Sequence, residues 1–347
     1  MRQKVLITGG AGFIGSNLVA RFLDQGYDVI IFDNLSRKGS EENLNWILKK
    51  PNAKAIKFVK KDIRDFAALQ QEISKCEIIF HLASQVAVTS SVLNPREDFE
   101  INVIGTFNLL EAAREAGHRP AIIFASTNKV YGNLDRLNTT EKPTRYIFSD
   151  YPLGIDEEHL LDFHSPYGCS KGVGDQYVRD YSRIYNIPTI VFRQSCIYGP
   201  RQIGMEDQGW VTHLAAAAIL KKPITIYGNG KQVRDVLYID NLLEAYQLGL
   251  NAISRTSGQI FNIGGGSTNA LSLLEYVKIL EDILGYKVKI KFDRIRPGDQ
   301  KVFISDNSKI KKHLKWEPKI SYKVGIKNLL SWIEEHRNLF QEFFETK

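Results

Sequence analysis

The sequence predicts an α/β fold, a doubly wound parallel sheet that carries a smaller α/β substrate-binding body. Three observations lead there. Short apolar, β-branched runs alternate with helical patterns through the first half of the chain, as in a parallel sheet buried on both faces. The first run passes through Gly9-Gly10-Ala11-Gly12-Phe13-Ile14-Gly15 into a helical pattern. Finally, 347 residues is long for one compact core, so a large body with a smaller partner is the natural arrangement.

Lys4-Val5-Leu6-Ile7-Thr8 is the first strand, and a helix runs from Ser16 to Gln25, closed by Gly26. Asp28-Val29-Ile30-Ile31-Phe32 is the second strand and ends at Asp33. Strand, glycine turn, helix and strand make half of a dinucleotide site. Gly9 and Gly10 allow backbone angles closed to other residues, Gly12 lets a pyrophosphate approach the main chain, and Gly15 lets the helix lie close on the strand. Amides of the first helical turn then face the phosphates. The Asp33 carboxylate suits a ribose diol and repels a 2′-phosphate, which favours NAD over NADP. Arg37 and Lys38 pull the other way, since either could neutralise such a phosphate.

A helix about Glu41 to Lys50 and a strand at Ala55-Ile56-Lys57-Phe58-Val59 come next. Asp62 follows that strand, either bonding an adenine amino group or capping the next helix. Glu77-Ile78-Ile79-Phe80-His81 is the fourth strand, with small residues after it that suit a flat ligand; His81 reads as a packed strand histidine. One long helix is expected from about Glu97 to Ala116. Asn102 on it is either a support for the site or a buried polar residue.

The strand Ala121-Ile122-Ile123-Phe124-Ala125 ends in Ser126, Thr127, Asn128 and Lys129. Hydroxyls are therefore presented at the carboxyl edge of the sheet. After a turn-rich loop, Pro166 opens a helix that reaches Tyr185, and Tyr167 and Lys171 share one face of it. A phenol is a poor base at neutral pH, but a neighbouring ammonium and a positive nicotinamide ring both favour the phenolate. Tyr167 then takes a proton from a sugar hydroxyl while hydride leaves the same carbon, and Thr127, with Ser126 behind it, holds that oxygen in line.

The second half loosens into a loop with Gln202, Gln208 and Trp210, a helix from Val211 to Lys221, and the strand Ile224-Thr225-Ile226-Tyr227. Arg234 and Arg296 are read as diphosphate ligands, the alternative being an ion pair with the neighbouring Asp in each case. Gln259 to Ile263 returns to the main sheet, and Gly264-Gly265-Gly266 after it is a chain reversal. Leu271 to Leu284 and Val324 to Phe344 are packing helices.

Composition narrows the partners. A net charge of +7 and a pI near 9.1 fit either a nucleic-acid binder or an enzyme whose ligands carry phosphates. No recognition helix, RNA-binding aromatic signature or basic tail accompanies that charge, and the Lys309, Lys311, Lys312, Lys315 cluster reads as a solvated helix face. The three cysteines, Cys76, Cys169 and Cys196, have no metal-ligand spacing. No apolar run is long enough for a bilayer, and the first strand begins close to Met1, so a cytoplasmic protein without a membrane partner is expected.

Together these motifs resemble the extended short-chain dehydrogenase/reductase family, whose members modify nucleotide sugars. The resemblance rests on Thr8 to Gly15, Asp33-Asn34, Asp62-Ile63-Arg64, His81-Leu82-Ala83, Asn102 to Thr106, Tyr167 with Lys171, Arg193, Tyr198-Gly199-Pro200, Gly228-Asn229-Gly230 and Arg234-Asp235. It implies an NAD-binding Rossmann domain over 1–194 plus about 235–263, and a nucleotide-sugar domain over about 195–234 plus 264–347. For the cofactor it implies Gly9, Gly12, Phe13, Ile14, Gly15, Asp33, Asn34, Ser36, Arg37, Asp62, Ile63, Leu82, Ala83, Gln85 and Asn102, with Tyr167 and Lys171. For the substrate it implies Gln85, Thr127, Asn128, Gln194, Ser195, Gln208, Arg234 and Arg296.

The family's 4,6-dehydratases carry Asp-Glu after the catalytic Thr. Asn128 and Lys129 stand there instead, which argues against elimination of water. The stretches Phe32 to Gly39, Asp162 to Gly172, Asp207 to Trp210 and Gly228 to Leu237 are most similar to the branch that epimerises CDP-linked sugars at C2. That branch implies tightly bound NAD regenerated in each cycle, a 2-keto intermediate that turns in the pocket, and a homodimer or homotetramer. Two rivals remain: a 4-epimerase on the same fold, and a non-catalytic NAD-sensing regulator. The regulator is disfavoured because Tyr167 and Lys171 are both kept.

Overall fold

A computed structural model describes residues 2–206, 208–295 and 299–345. Among them, seven parallel strands form the central sheet in the spatial order Gln259–Ile263, Thr189–Gln194, Ala121–Thr127, Ile78–His81, Lys4–Thr8, Asp28–Phe32, Ile56–Val59. Alternation along each strand explains why the runs are apolar throughout. Val5, Ile7, Val29, Ile31, Phe80, Ile123 and Phe192 pack into a core on one face. Leu6, Ile30, Phe32, Ile79, Ile122, Phe124 and Val191 pack into a second core on the other. The order of strands reverses between Lys4–Thr8 and Ile78–His81, and such a switch point opens a ligand crevice at the strands' carboxyl ends.

The rest of the chain stands over those ends. Val233–Tyr238 pairs with Cys196–Tyr198, Ala270–Ser272 and Val302–Phe303, and Ile224–Tyr227 pairs with Ile290–Asp293. In the expected loop lies a small hairpin, Thr139–Glu141 with Tyr146–Phe148. No helix among the described residues is long and apolar enough to cross a membrane.

Two helices differ from the single rods expected. In place of one helix from Glu97, the chain forms Pro95–Phe99, a wide π turn at Glu100–Ile104, and Gly105–Glu115. The turn points Asn102 inward, and Gly105 is needed beside it, because a Cβ there would stand 2.4 Å from the Ile63 side chain. The terminal segment breaks at His336 into Tyr322–Glu335 and Arg337–Glu345. Of the lysine cluster, Lys311, Lys312 and Lys315 are exposed, while Lys309 lies 5.6 Å from the Phe261 ring centroid.

Candidate active site

The glycine turn is built for close approach. Gly9 has φ +68°, and a Cβ on it would meet the Ala83 nitrogen at 2.8 Å; one on Gly15 would lie 2.1 Å from the Gly9 carbonyl. Gly10 has no left-handed angle, contrary to the expectation; it is excluded from a side chain by the Ile7 carbonyl at 2.9 Å and the Ile31 side chain at 3.0 Å. A Cβ on Gly12 would meet only the Gly9 oxygen, at 3.1 Å, and otherwise faces the cleft. Gly12 also precedes the helix Phe13–Asp24 without any side-chain cap, so the first-turn amides stay available to an anion.

Asp33 is buried at the tip of its strand, where its carboxylate accepts from the amides of Ala11 (3.0 Å) and Leu35 (2.8 Å). Burial raises its pKa and those two bonds oppose the rise. Asn34 donates to Asp62 at 2.8 Å. Arg64 grips the same carboxylate with bonds of 2.8 and 2.9 Å and, despite partial burial, holds it at about 2. Asp62 is not a helix cap: that position belongs to Asp65, which accepts from the Ala68 amide.

These groups line one end of a cleft of about 760 Å³ that continues past Phe13, Ile14, Ser36, Arg37, Ile63, Leu82, Ala83 and Gln85 to Ser126, Thr127, Asn128, Tyr167, Lys171, Gln194, Ser195 and Gln208. Its mouth is bridged by Arg37, which donates to Gln208 at 2.6 Å.

At the far end, Pro166 and the Ser165 cap, which accepts from the Gly168 amide, start the helix that carries Tyr167 and Lys171. The Thr127 side chain beside the Tyr167 phenol favours its ionised form. Burial nevertheless pushes the phenol up to about 12, with the nearby Asp98 charge adding to the rise. Lys171 is drawn down to about 7 by burial, opposed by Asp175 and Asp98, and its Nζ lies 4.4 Å from the Phe124 ring centroid. The protein's own groups thus hold the phenol proton, rather than releasing it as the lysine's charge alone would suggest. Desolvation weakens both ions.

Ser126 faces away from the reacting end. Its hydroxyl donates to buried Asp175 at 2.7 Å, and Asp175 in turn is held by Arg193. Arg193 also donates to the Tyr131 hydroxyl, which donates to Asn262 on the last strand. Ser126 therefore ties the strand end to the helix and is a positioning residue.

Asn102 does not reach the cleft wall. Its side chain accepts from Ser84 and the Gln85 amide and donates to Ser170 and Asp98, so it acts behind Gln85. Gln194 donates to Tyr246, and Ser195 to Asp235. Arg234 lies off the cleft wall and pairs with Asp299 rather than its neighbour Asp235; Arg296 lies outside the described residues. Sequence reasoning passed over Lys129, Cys196 and Trp210 as cleft walls. The Asn-Lys after Thr127 was the available signal for the first.

The fold and this cleft define an extended short-chain dehydrogenase/reductase, and the chain belongs to that group through the family described as GDP-mannose 4,6 dehydratase, which it matches over residues 6–329. Among individual relatives it is 48% identical over 337 residues to the CDP-paratose 2-epimerase of Salmonella typhi, covering 95% of this chain and 99% of that one. The structure of UDP-glucose 4-epimerase from Thermotoga maritima, solved with UDP-glucose, superposes with a TM-score of 0.82 at 32% identity, covering 96% of this chain and all of that one. The UDP-glucuronic acid 4-epimerase of Bacillus cereus, solved with UDP-glucuronic acid and NAD, gives 0.83 at 27% identity, covering 96% of this chain and 100% of that one.

Proposed function

We propose that this chain is an NAD-dependent nucleotide-sugar epimerase that interconverts CDP-paratose and CDP-tyvelose at C2. The observation that carries the reading is the 48% identity to a CDP-paratose 2-epimerase over nearly both chains, with Tyr167, Thr127 and Lys171 all lining the cleft. The cradle suits NAD: the glycine turn leaves room for a pyrophosphate, uncapped amides face it, and Asp33 keeps lone pairs for a ribose diol. NAD, when bound, supplies a hydride acceptor that is restored in the same cycle, which calls for a cofactor held tightly throughout.

The chain's own part is positional and protonic. The Lys171 ammonium and the positive nicotinamide ring favour the phenolate of Tyr167, Thr127 holds the substrate hydroxyl, and the phenolate accepts its proton as the carbon is oxidised. Once the keto sugar has turned over, Tyr167 returns the proton to the same oxygen. Arg234 and Arg296 are assigned to the diphosphate by charge; for Arg234 this means sharing or leaving Asp299.

The outer face of the Gly105–Glu115 and Pro166–Tyr185 helices supports a homo-oligomer. Phe107 and Tyr177 meet edge to face at 6.0 Å and remain 42% and 46% exposed, beside Ile104 and Ile184. A second copy of this face would cover them.

The test is direct. Purified protein incubated with CDP-paratose, without added cofactor, forms CDP-tyvelose by NMR, and the reverse reaction reaches the same ratio. Failure of both directions, with conversion of UDP-glucose to its C4 epimer instead, refutes the reading.

A further inference from the structure

At the reacting end of the cleft, Lys129 has no part in the mechanism above. Lys129 stands two residues beyond Thr127, and its amide donates to the Thr127 hydroxyl at 3.2 Å. Its carbonyl packs on the start of the catalytic helix, where a Cβ on Gly168 would come within 3.1 Å of it. The backbone of Lys129 is thus fixed against the two elements that carry Thr127 and Tyr167, at the reacting end of the cleft. Lys129 lines the cleft. Among the described residues, the Nζ makes one hydrogen bond, a long one of 3.4 Å to Gln300, and Gln300 is itself fixed by donating to the Gly132 carbonyl. An ammonium has three donors, so this one keeps capacity for a ligand. Burial and the Arg234 charge draw its pKa down to about 8, with Asp299 opposing, which marks a cation short of partners. Asp299 pairs with Arg234 in this structure.

We propose that Lys129 is a substrate-contacting residue: its Nζ donates a hydrogen bond to an oxygen of the sugar ring or its hydroxyls, and so helps select the carbon that meets Tyr167 and Thr127. The contact falls on the sugar rather than the diphosphate because Lys129 is anchored beside Thr127 and Tyr167. This inference rests on the proposed function and names a specificity residue for it.

The test separates the sugar from the nucleotide. Lys129→Met and Lys129→Gln are compared with wild type for CDP binding by calorimetry, for kcat/KM with CDP-paratose, and for NAD content as a check on folding. The proposal expects CDP affinity within about twofold of wild type and kcat/KM lowered about tenfold to a hundredfold, as for loss of a charged hydrogen bond, with partial recovery in Lys129→Arg. An equal loss of CDP affinity would place the ammonium on the diphosphate and overturn the proposal. Unchanged kcat/KM in both neutral variants would also overturn it. Failure of wild type on both CDP sugars would instead remove the proposed function itself.

Discussion

The carboxylate of Asp175 receives two hydrogen bonds of 2.9 Å from the guanidinium of Arg193, with both side chains shut off from solvent. One helical turn earlier on the same helix is Lys171, so this buried pair adjoins the lysine proposed to assist Tyr167. Replacing Asp175 with Asn leaves a guanidinium without its counterion, which should cost about 3–5 kcal/mol in urea unfolding. The sign of the pH effect follows from the charges facing Lys171: Asp175 on its own helix and Asp98 raise its pKa, burial lowers it to about 7, and neighbouring His81 stays neutral. Without Asp175 the lysine loses its proton more easily, and the alkaline limb of the pH–rate profile moves to lower pH. A variant with lower stability and an unmoved limb would show that the pair is only structural.

Tyr167→Phe removes the proton acceptor and keeps the ring. Turnover should fall about a hundredfold to ten-thousandfold, while the purified protein retains its NAD. Unchanged turnover would refute the role of Tyr167.

Gly15→Ala places a methyl 2.1 Å from the Gly9 carbonyl, and both partners are backbone, so the turn must open. NAD affinity should weaken about tenfold or more, a loss of about 1.4 kcal/mol per factor of ten. Calorimetry on protein stripped of cofactor would measure it.

His81 is held between the hydroxyls of Thr8 (2.8 Å) and Thr106 (3.0 Å), and burial, with the Lys171 charge, takes it from 6.5 down to about 3. The unfolded chain therefore binds a proton that the folded one refuses across that interval. Stability is complete above pH 6.5 and is lost as pH falls toward 3, by up to about 1.4 kcal/mol per pH unit. His81→Gln should flatten the dependence of unfolding free energy on pH within that window. An unaltered slope would assign the acid sensitivity to other groups.

The nucleotide half was legible because its signals are local. The glycines, the strand before them and Asp33 fall within one strand–helix–strand unit, and the periodicity that marks buried parallel strands needs no partner to be read. The π turn at Glu100–Ile104 was not legible, since a helix with one widened turn keeps nearly the same apolar pattern. Nor was the orientation of Ser126: it depends on Asp175 and Arg193, which reach it from a different helix and strand. Arg234 reads as a diphosphate ligand with an ion pair to its neighbour Asp235 as the alternative, yet Asp235 turns to Ser195 and the Ser305 amide. Its real partner, Asp299, is far along the chain. The misses at Ser126 and Arg234 are long-range polar contacts, which neither spacing nor composition encodes.

The central claim is that the sugar is oxidised and reduced at C2 by a cofactor that never leaves. Tritiated borohydride, added while the enzyme turns over CDP-paratose, reduces any keto sugar in the cleft, and degradation of the recovered sugar locates the label. The account predicts tritium at C2. Tritium at C4 would contradict it.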